Sequence, residues 1–263
     1  MPKLNKQDEY TKLNIPSSII KRFMNDIIDK QSYQISTIDT KDKEHPITKK
    51  QNISICSSYL IITASIESLI SYIITEASLF INSKSNDGLY ELTYDDIETA
   101  IYKNDELREN FLKIIQCYNK NLNFNVIENK ILNDFIDKID KNIKLNKNVI
   151  NFLQYLINYY CCEFLRISYS IMIEFNKLRI TSSIIKSCWN IMFIGKYNAR
   201  LMKEFEEKIM LIDKFKEERK NKSIEDNKQS INDKQIEEIN DDIKNNDITN
   251  DDIKNDDIIN DNE

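Results

Sequence analysis

Two long apolar segments limit what this chain can fold into. They run from Ile53 to Ile81 and from Val149 to Phe175, and in each the polar residues fall on one narrow line at helical spacing. A helix that is apolar around most of its circumference needs partners on several sides. Both segments are followed by a polar break and a short amphipathic segment. The sequence therefore indicates one design used twice, with the two long helices as principal partners.

The composition favours helices over sheets. Only two glycines and three prolines occur among the 263 residues, and Ile, Asn, Lys and Asp dominate. Such a chain has few of the residues that form tight turns or break helices. Its length allows one or two domains with proper cores. The predicted fold class is all-α.

The first copy of the design has recognisable helix starts. Residues 1–14 are polar and are expected to be flexible. Ser17 or Ser18 can cap a first helix that follows Pro16. Asp39 to Lys50 is too charged to pack and contains Pro46, so Gln31 to Asn52 is expected to be a long exposed loop.

After the first long segment, Leu89 to Leu92 can form a short extended piece. Thr93 followed three residues later by Asp96 resembles a capping box and predicts the start of a short helix. A further short helix is expected over Asp105 to Ile115. The segment Asn119 to Asn125 is expected to link the two copies.

The second copy repeats this order. A short amphipathic helix is expected from Ile127 to Ile139, and a loop from Asn142 to Asn148 precedes the long segment. A second short helix begins at Ile180-Thr181-Ser182, and an amphipathic helix follows Gly195, from Lys196 to Lys220.

The end of the chain has a different composition. Residues 223–263 contain 14 acidic and 4 basic side chains, whereas residues 1–222 contain 29 acidic and 33 basic ones. The segment is a degenerate five-residue repeat (NDDIK NNDIT NDDIK NDDII) in which single isoleucines are set among polar and acidic residues. It cannot bury enough apolar surface to fold and is expected to be disordered.

Several classes of protein are not supported by the residues. The cysteines have no C-x-x-C spacing, and His45 is the only histidine, so neither a metal site nor a disulfide framework is expected. No glycine-rich phosphate loop and no nucleophile with a histidine base are evident, so we predict no enzymatic activity. Polar and charged residues interrupt both apolar segments, so no membrane span is predicted. The cysteines are Cys56, Cys117, Cys161, Cys162 and Cys188, and the interrupting residues are Ser65, Glu67, Ser68, Glu163 and Arg166.

Each half has the order short helix, loop, long helix, extended loop and short helix, which is the layout of the histone fold. In the first half, LNIPSSIIKRFM (Leu13 to Met24) and AIYKNDELREN (Ala100 to Asn110) resemble motifs of histone 2A. Leu13, Pro16 and Arg22 are kept in the first motif.

In the second half, FNKLRITSSIIKS (Phe175 to Ser187) is similar to a motif of histone 2B. Gly195 followed by an amphipathic helix resembles that histone's extra carboxy-terminal helix. Together the resemblance covers roughly residues 13–218. It implies two histone folds, over 15–118 and 126–222, joined by a linker at 119–125 and interlocked head to tail.

Fused histones of this kind occur in large DNA viruses, so the chain resembles a viral histone doublet. The resemblance implies a chain that wraps double-stranded DNA non-specifically in a nucleosome-like particle. It also implies a histone 3–4-like dimer or doublet as partner, no cofactor and no membrane partner. The expected location is the virion or viral factory, or otherwise the host nucleus.

Histones contact phosphates through arginine, lysine and helix amino-termini where paired loops meet the minor groove. Loops from opposite ends of the two halves should therefore come together at one edge. Lys177 and Arg179 are the best candidates because the motif fixes their place. The full candidate set is Lys21, Arg22, Lys49, Lys50, Lys144, Lys147, Lys177, Arg179 and Thr181. For any single lysine in so lysine-rich a chain, an ordinary solvated charge is the alternative.

The sequence also departs from the family. Where histone 2A has an arginine before its last core helix, this chain has Tyr90-Glu91, which should weaken one DNA contact. Basic amino-terminal tails are nearly absent. The family's acidic patch, a docking site for partners, maps to Glu67, Asp105, Glu106 and Glu204, with Tyr72 and Thr75 at other patch positions. The alternative is a few exposed carboxylates.

A second function remains open. The chain can instead be a histone-fold interaction module, or resemble a histone chaperone whose acidic tail keeps it off DNA. The tail itself can shield the basic edge, bind other histones, or only aid solubility.

Overall fold

The computed structural model describes residues 6–39, 47–55, 58–82, 90–120 and 122–221, and these residues are mostly helical. The helices are α1 (Lys6–Tyr10), α2 (Ser17–Gln31), α3 (Ser58–Asn82), α4 (Tyr94–Lys103), α5 (Asp105–Cys117), α6 (Asn129–Ile139), α7 (Lys147–Glu174), α8 (Ser182–Met192) and α9 (195–221). Short strands are β1 (Gln34–Asp39), β2 (Ile47–Asn52), β3 (Tyr90–Leu92) and β4 (Ile143–Leu145).

The chain divides into two compact units, Met1–Ile212 and Asp213–Glu263. Of the second unit, residues 213–221 are described and are helical. There Lys216 pairs with Asp213 at 3.1 Å, as neighbours one helical turn apart do. The predicted disordered tail, 223–263, lies outside the described residues.

Both predicted long helices are present. The second begins slightly early, at Lys147, where the Asn146 side chain accepts the backbone N–H of Asn148 at 3.0 Å and caps the helix. The first begins late, at Ser58, because Ile53 to Ile55 are extended and Ser54 bridges to a distant segment. The Thr93 capping box is confirmed: the Thr93 hydroxyl accepts the Asp96 N–H and the Asp96 carboxylate accepts the Thr93 N–H.

The start of the chain is more ordered than predicted. The expectation of a flexible segment over 1–14 is wrong for residues 6–14, because Lys6–Tyr10 is helical and both Asp8 and Leu13 are buried. The predicted serine cap of α2 is also wrong. Pro16 occupies the cap position without a side-chain bond, and the buried Ser17 hydroxyl donates instead to the Asp8 carboxylate.

The predicted exposed loop from Gln31 to Asn52 is also wrong in large part. β1 and β2 form an antiparallel pair in which Gln34 lies opposite Asn52 and Asp39 lies opposite Ile47. The pair is anchored at its base, where the Tyr169 hydroxyl of α7 donates to the Gln34 carbonyl at 2.8 Å. Residues 40–46 lie outside the described part of the chain.

The long helices pack against each other at their centres. Ile66, Leu69 and Ile70 of α3 meet Leu156, Ile157 and Tyr160 of α7 around one small gap. The short first helix of each half packs on the long helix of the other, α2 on α7 and α6 on α3. Fully burying one such aliphatic side chain contributes about 1.5–3 kcal/mol relative to leaving it exposed. Neither half therefore has a complete core alone.

The length and hydropathy of α3 are also those of a helix that could cross a membrane. Within the described residues, Ser58–Ile81 is long and apolar enough to cross a membrane, with a mean hydropathy of 1.5. However, 72% of this apolar stretch is buried inside the protein. A helix in a protein core can be equally long and apolar, and the packing against α7 accounts for the apolar surface of α3.

The same hydrogen-bonded clamp occurs in both halves. In the first, one carboxylate oxygen of Glu67 on α3 accepts the backbone N–H groups of Asn14 and Ile15, each at 2.5 Å. In the second, the amide oxygen of Gln154 on α7 accepts the N–H groups of Val126 and Ile127, at 2.9 and 3.0 Å. In each case a polar side chain on a long helix accepts the two backbone N–H groups that come just before the cap of the short first helix of the same half.

The loops of the two halves pair reciprocally. β3 of the first half runs parallel to β4 of the second, with Glu91 opposite Lys144. Part of the loop predicted over Asn142–Asn148 is thus a strand. At the other end, Ser54 of the first half forms a parallel bridge with Arg179 of the second. Loops from opposite ends of the two halves therefore meet, as expected, and their position on one common edge stays a prediction.

The first clamp predicts a graded loss of stability. Glu67→Ala leaves two buried N–H groups unpaired and should lower the free energy of unfolding by about 3 kcal/mol, at roughly 1–3 kcal/mol per group. Glu67→Gln keeps an acceptor and should cost about half as much. Urea unfolding followed by circular dichroism measures both.

Asp105→Ala is the control, because the Asp105 side chain is 82% exposed. It should change the free energy of unfolding by no more than about 0.5 kcal/mol. Equal midpoints for the Glu67→Ala and Asp105→Ala variants would show that the clamp contributes nothing.

Candidate functional site

The candidate site is built from two loop pairs. The first loop pair joins Ser54 to the segment Leu178–Ile180, with the Ser54 N–H donating to the Leu178 carbonyl at 2.8 Å and the Ile180 N–H donating to the Ser54 carbonyl at 2.9 Å. The Ser58 hydroxyl at the start of α3 donates to the Ile180 carbonyl at 2.5 Å. These bonds bring the amino ends of α3 and α8 together.

The second loop pair joins β3 to β4 in the same way. The Tyr90 N–H donates to the Asn142 carbonyl and the Asn146 N–H to the Leu92 carbonyl, both at 3.0 Å. Because the strands are parallel, the helices that follow them, α4 and α7, both start at the same end of the pair. Each loop pair thus presents two helix amino-termini beside exposed loop residues.

Three predicted phosphate ligands lie on the first loop pair. Lys177 and Arg179 are exposed, and among the described residues neither has a carboxylate partner. Thr181 caps α8: its hydroxyl accepts the Ile184 N–H at 3.4 Å and lies 2.8 Å from the Ser183 hydroxyl. Thr181 therefore orders the helix start, and the two basic side chains supply the charge.

Lys21 and Arg22 are exposed on α2. The Lys21 ammonium lies 5.1 Å from the centre of the Tyr59 ring, at the second residue of α3, which places it beside the helix that the first loop pair anchors. Lys49 and Lys50 belong to β2, opposite Thr37 and Ser36. Their side chains lie outside the described part of the chain.

The second loop pair is less basic than the first. Lys144 and Lys147 are exposed, as predicted, but Glu91 stands opposite Lys144 in the ladder. The Glu91 carboxylate also accepts the Asn146 side-chain amide at 3.1 Å, which holds it over the start of α7. Here the carboxylate offsets part of the lysine charge.

Glu67 lines an open groove together with Glu204, but its carboxylate is largely used within the fold, so its assignment to an acidic patch stays a prediction. Only 8% of the residue is exposed. Its carboxylate accepts the Asn14 and Ile15 N–H groups and the Asn14 side-chain amide. Burial raises the pKa of Glu67, and the three donors act in the opposite direction. The sequence around Glu67 gives no indication of these long-range hydrogen bonds.

The other three patch residues lie at or near the surface. Asp105 is exposed and pairs with Arg108, one helical turn away. Glu106 accepts the Tyr72 hydroxyl at 2.8 Å. Glu204, on α9, lines an open groove of about 380 Å³ between α3 and α9. The carboxylates of Asp105 and Glu106 thus have partners within the protein.

Arg200 is a site residue that sequence reasoning missed. Its guanidinium lies 4.0 Å from the centre of the Tyr72 ring, inside the groove that Glu204 lines. Tyr72 in turn stacks on the buried ring of Tyr197, with centroids 4.8 Å apart. Lys208, on the same helix, lines the groove and donates to the Thr11 carbonyl. These two cations make the predicted acidic patch less negative than its carboxylates suggest.

The described residues contain no group of three or more His, Cys, Asp or Glu side chains that could hold a metal ion. Cys161 and Cys188 are buried, and burial raises the pKa of both thiols, that of Cys188 to about 11. Thiols with such pKa values are poor nucleophiles at neutral pH. Cys56 lies outside the described part of the chain.

Comparison with known proteins gives no further guide. No protein-family model matches the chain, and no curated protein shows significant sequence similarity to it.

Arg200→Gln should make the groove more attractive to cations. Removing one positive charge beside Glu204 and Glu76 should raise the affinity for an arginine-containing peptide several-fold at low salt, because exposed charges interact weakly and are screened. Fluorescence anisotropy of a labelled peptide measures the change. Arg166→Gln, on α7 and paired with Glu163, is the matched control. An affinity that rises equally in both variants would reflect net charge alone.

Proposed function

We propose that the chain is a histone doublet in which a histone 2A-like half and a histone 2B-like half pair within one molecule and wrap DNA without reading its sequence. The observation that carries this proposal is the reciprocal loop pairing. Ser54 bridges to Arg179 at one end and β3 pairs with β4 at the other, while the two long helices cross between them. Tandem histone folds interlocked head to tail account for that arrangement.

The clamps support the same proposal. Glu67 and Gln154 both lie in the first half of a long helix and bind the segment just before the short first helix of the same half in the same way. Thr93 and Thr181 likewise cap the short helices that follow the two extended loops. Repeated local chemistry of this kind is expected of two copies of one fold.

DNA would lie along the loop pairs. Each combines exposed lysine or arginine with two helix amino-termini, and both features attract phosphates. Such contacts carry no base information, so binding is non-specific and depends steeply on salt. The first loop pair, with Lys177 and Arg179, is the stronger candidate.

Fusion of the halves has an energetic consequence. It makes their pairing intramolecular, at an effective concentration on the order of millimolar, so the doublet is a stable pseudo-dimer by itself. To complete a nucleosome-like particle it would need a histone 3–4-like dimer or doublet. The expected location is then the virion or the viral factory, or otherwise the host nucleus.

Reconstitution tests the packaging function directly. The full chain, a histone 3–4-like partner and linear DNA are assembled by salt dialysis and digested with micrococcal nuclease. A DNA fragment of defined length should be protected. The same partner without the doublet is the control, and if its digestion pattern does not change when the doublet is added, the doublet does not package DNA.

The phosphate ligands can be tested separately. Wild-type affinity for a mixed-sequence duplex should fall steeply with salt. The double variant Lys177→Gln/Arg179→Gln should bind more weakly and should flatten the slope of log K against log salt by about 1.8, at roughly 0.9 per phosphate contact. Lys214→Gln/Lys216→Gln, with exposed residues of α9, has the same change in charge. Equal slopes in the two double variants would remove the first loop pair from the interface.

A chaperone-like function is favoured by the positions of acidic residues in the chain. Glu91 offsets part of the positive charge of the second loop pair, and the sequence after residue 222 is strongly acidic. A chaperone would bind basic histones through residues 223–263. Deleting that segment should then abolish histone binding, whereas in a packaging doublet the same deletion should leave DNA protection in place.

A further inference from the structure

Both loop pairs are joined by parallel backbone pairing, but they differ in charge at one matched position. Arg179 and Glu91 occupy corresponding positions, each two residues before the threonine that caps the next helix. Arg179 lies opposite Ser54, and Glu91 lies opposite Lys144. At this matched position, two residues before the helix cap, the first loop pair therefore presents a guanidinium and the second a carboxylate.

The first turns of the helices beside these residues also differ in charge, and the one next to Glu91 is the more negative. The first turn of α4, next to Glu91, contains Asp95 and Asp96, and the Asp96 carboxylate takes up the Thr93 N–H at 3.0 Å. The first turn of α8, next to Arg179, contains no acidic residue. A phosphate is attracted to a helix amino-terminus by its free N–H groups and dipole. At α4 that attraction is opposed by two carboxylates.

Glu91 is held in place. Its carboxylate accepts the Asn146 side-chain amide at 3.1 Å, and the Asn146 side-chain oxygen caps α7. The negative charge thus lies between the amino ends of α4 and α7, where DNA following the second loop pair would pass. Lys144 and Lys147 are the opposing charges at this pair.

From this contrast we propose that Glu91 makes the two DNA contacts of the chain unequal. The first loop pair holds DNA firmly, and the second releases it first as salt rises. The inference rests on the proposed DNA-binding function and adds to it a polarity along the DNA path. The residue that sets this polarity acts by repulsion, which is a recognised way to tune binding.

The affinity test compares Glu91→Lys with Asp105→Asn. Asp105 is exposed and lies beyond the far end of α4, about 15 Å from the helix start by the rise of ten helical residues. Glu91→Lys should raise affinity for a mixed-sequence duplex and steepen its salt slope by about 0.9, as one added phosphate contact does. Glu91→Gln should raise affinity without the full change in slope, and Asp105→Asn should do neither.

Photo-crosslinking locates the effect. A benzophenone amino acid is placed at exposed Asn142, beside the second loop pair, or at exposed Ser182, at the start of α8. In the otherwise wild-type full chain, DNA crosslinking from position 142 should be lost at lower salt than crosslinking from position 182. Adding Glu91→Gln should bring the two salt midpoints together.

The outcomes separate the two proposals. If Arg179→Gln weakens binding while Glu91→Lys behaves like Asp105→Asn and both crosslinks are lost at one salt concentration, the chain binds DNA evenly and the inference is overturned. If neither Arg179→Gln nor Glu91→Lys changes DNA affinity, the loop pairs are not the DNA interface and the proposed function falls with the inference.

Discussion

The apolar surface of α3 and α7 is the constraint on which the rest of the structure depends. Each helix has more apolar circumference than its own short neighbours can cover, so burial requires the other half of the chain. Ile66, Leu69 and Ile70 meet Leu156, Ile157 and Tyr160 at the crossing point. All of this apolar surface would be exposed to water if the halves separated, so residues 1–212 form one compact unit.

The crossing fixes where the loops lie. Once α3 and α7 pack at their centres and run in opposite directions along the pair, the loop that precedes each one meets the loop that follows the other. Parallel bridges then satisfy backbone groups of Ser54, Leu178 and Ile180 at one end, and of Tyr90, Asn142 and Asn146 at the other. The candidate site is therefore a product of the core, and buried residues such as Ile180 and Leu92 anchor its loop pairs.

Buried polar side chains form hydrogen bonds that stabilise this arrangement of helices. The resemblance to histone 2A assigns Glu67 to a docking surface, yet its carboxylate accepts the N–H groups of Asn14 and Ile15. Gln154 performs the same task in the second half with a neutral side chain. Accepting hydrogen bonds from two successive backbone N–H groups is what the two side chains have in common.

The sequence by itself determined the helices, their apolar faces and the local caps at Thr93 and Thr181, because these depend on residues within one or two turns of each other. It also indicated that the two halves pair. Only the tertiary structure decided that β1 pairs with β2, that Glu67 is buried, that Arg200 lies on Tyr72 and that Glu91 lies opposite Lys144. Each of these depends on groups far apart in sequence, whose meeting is set by how α3 crosses α7. The residues near each of these positions in the sequence do not specify that geometry.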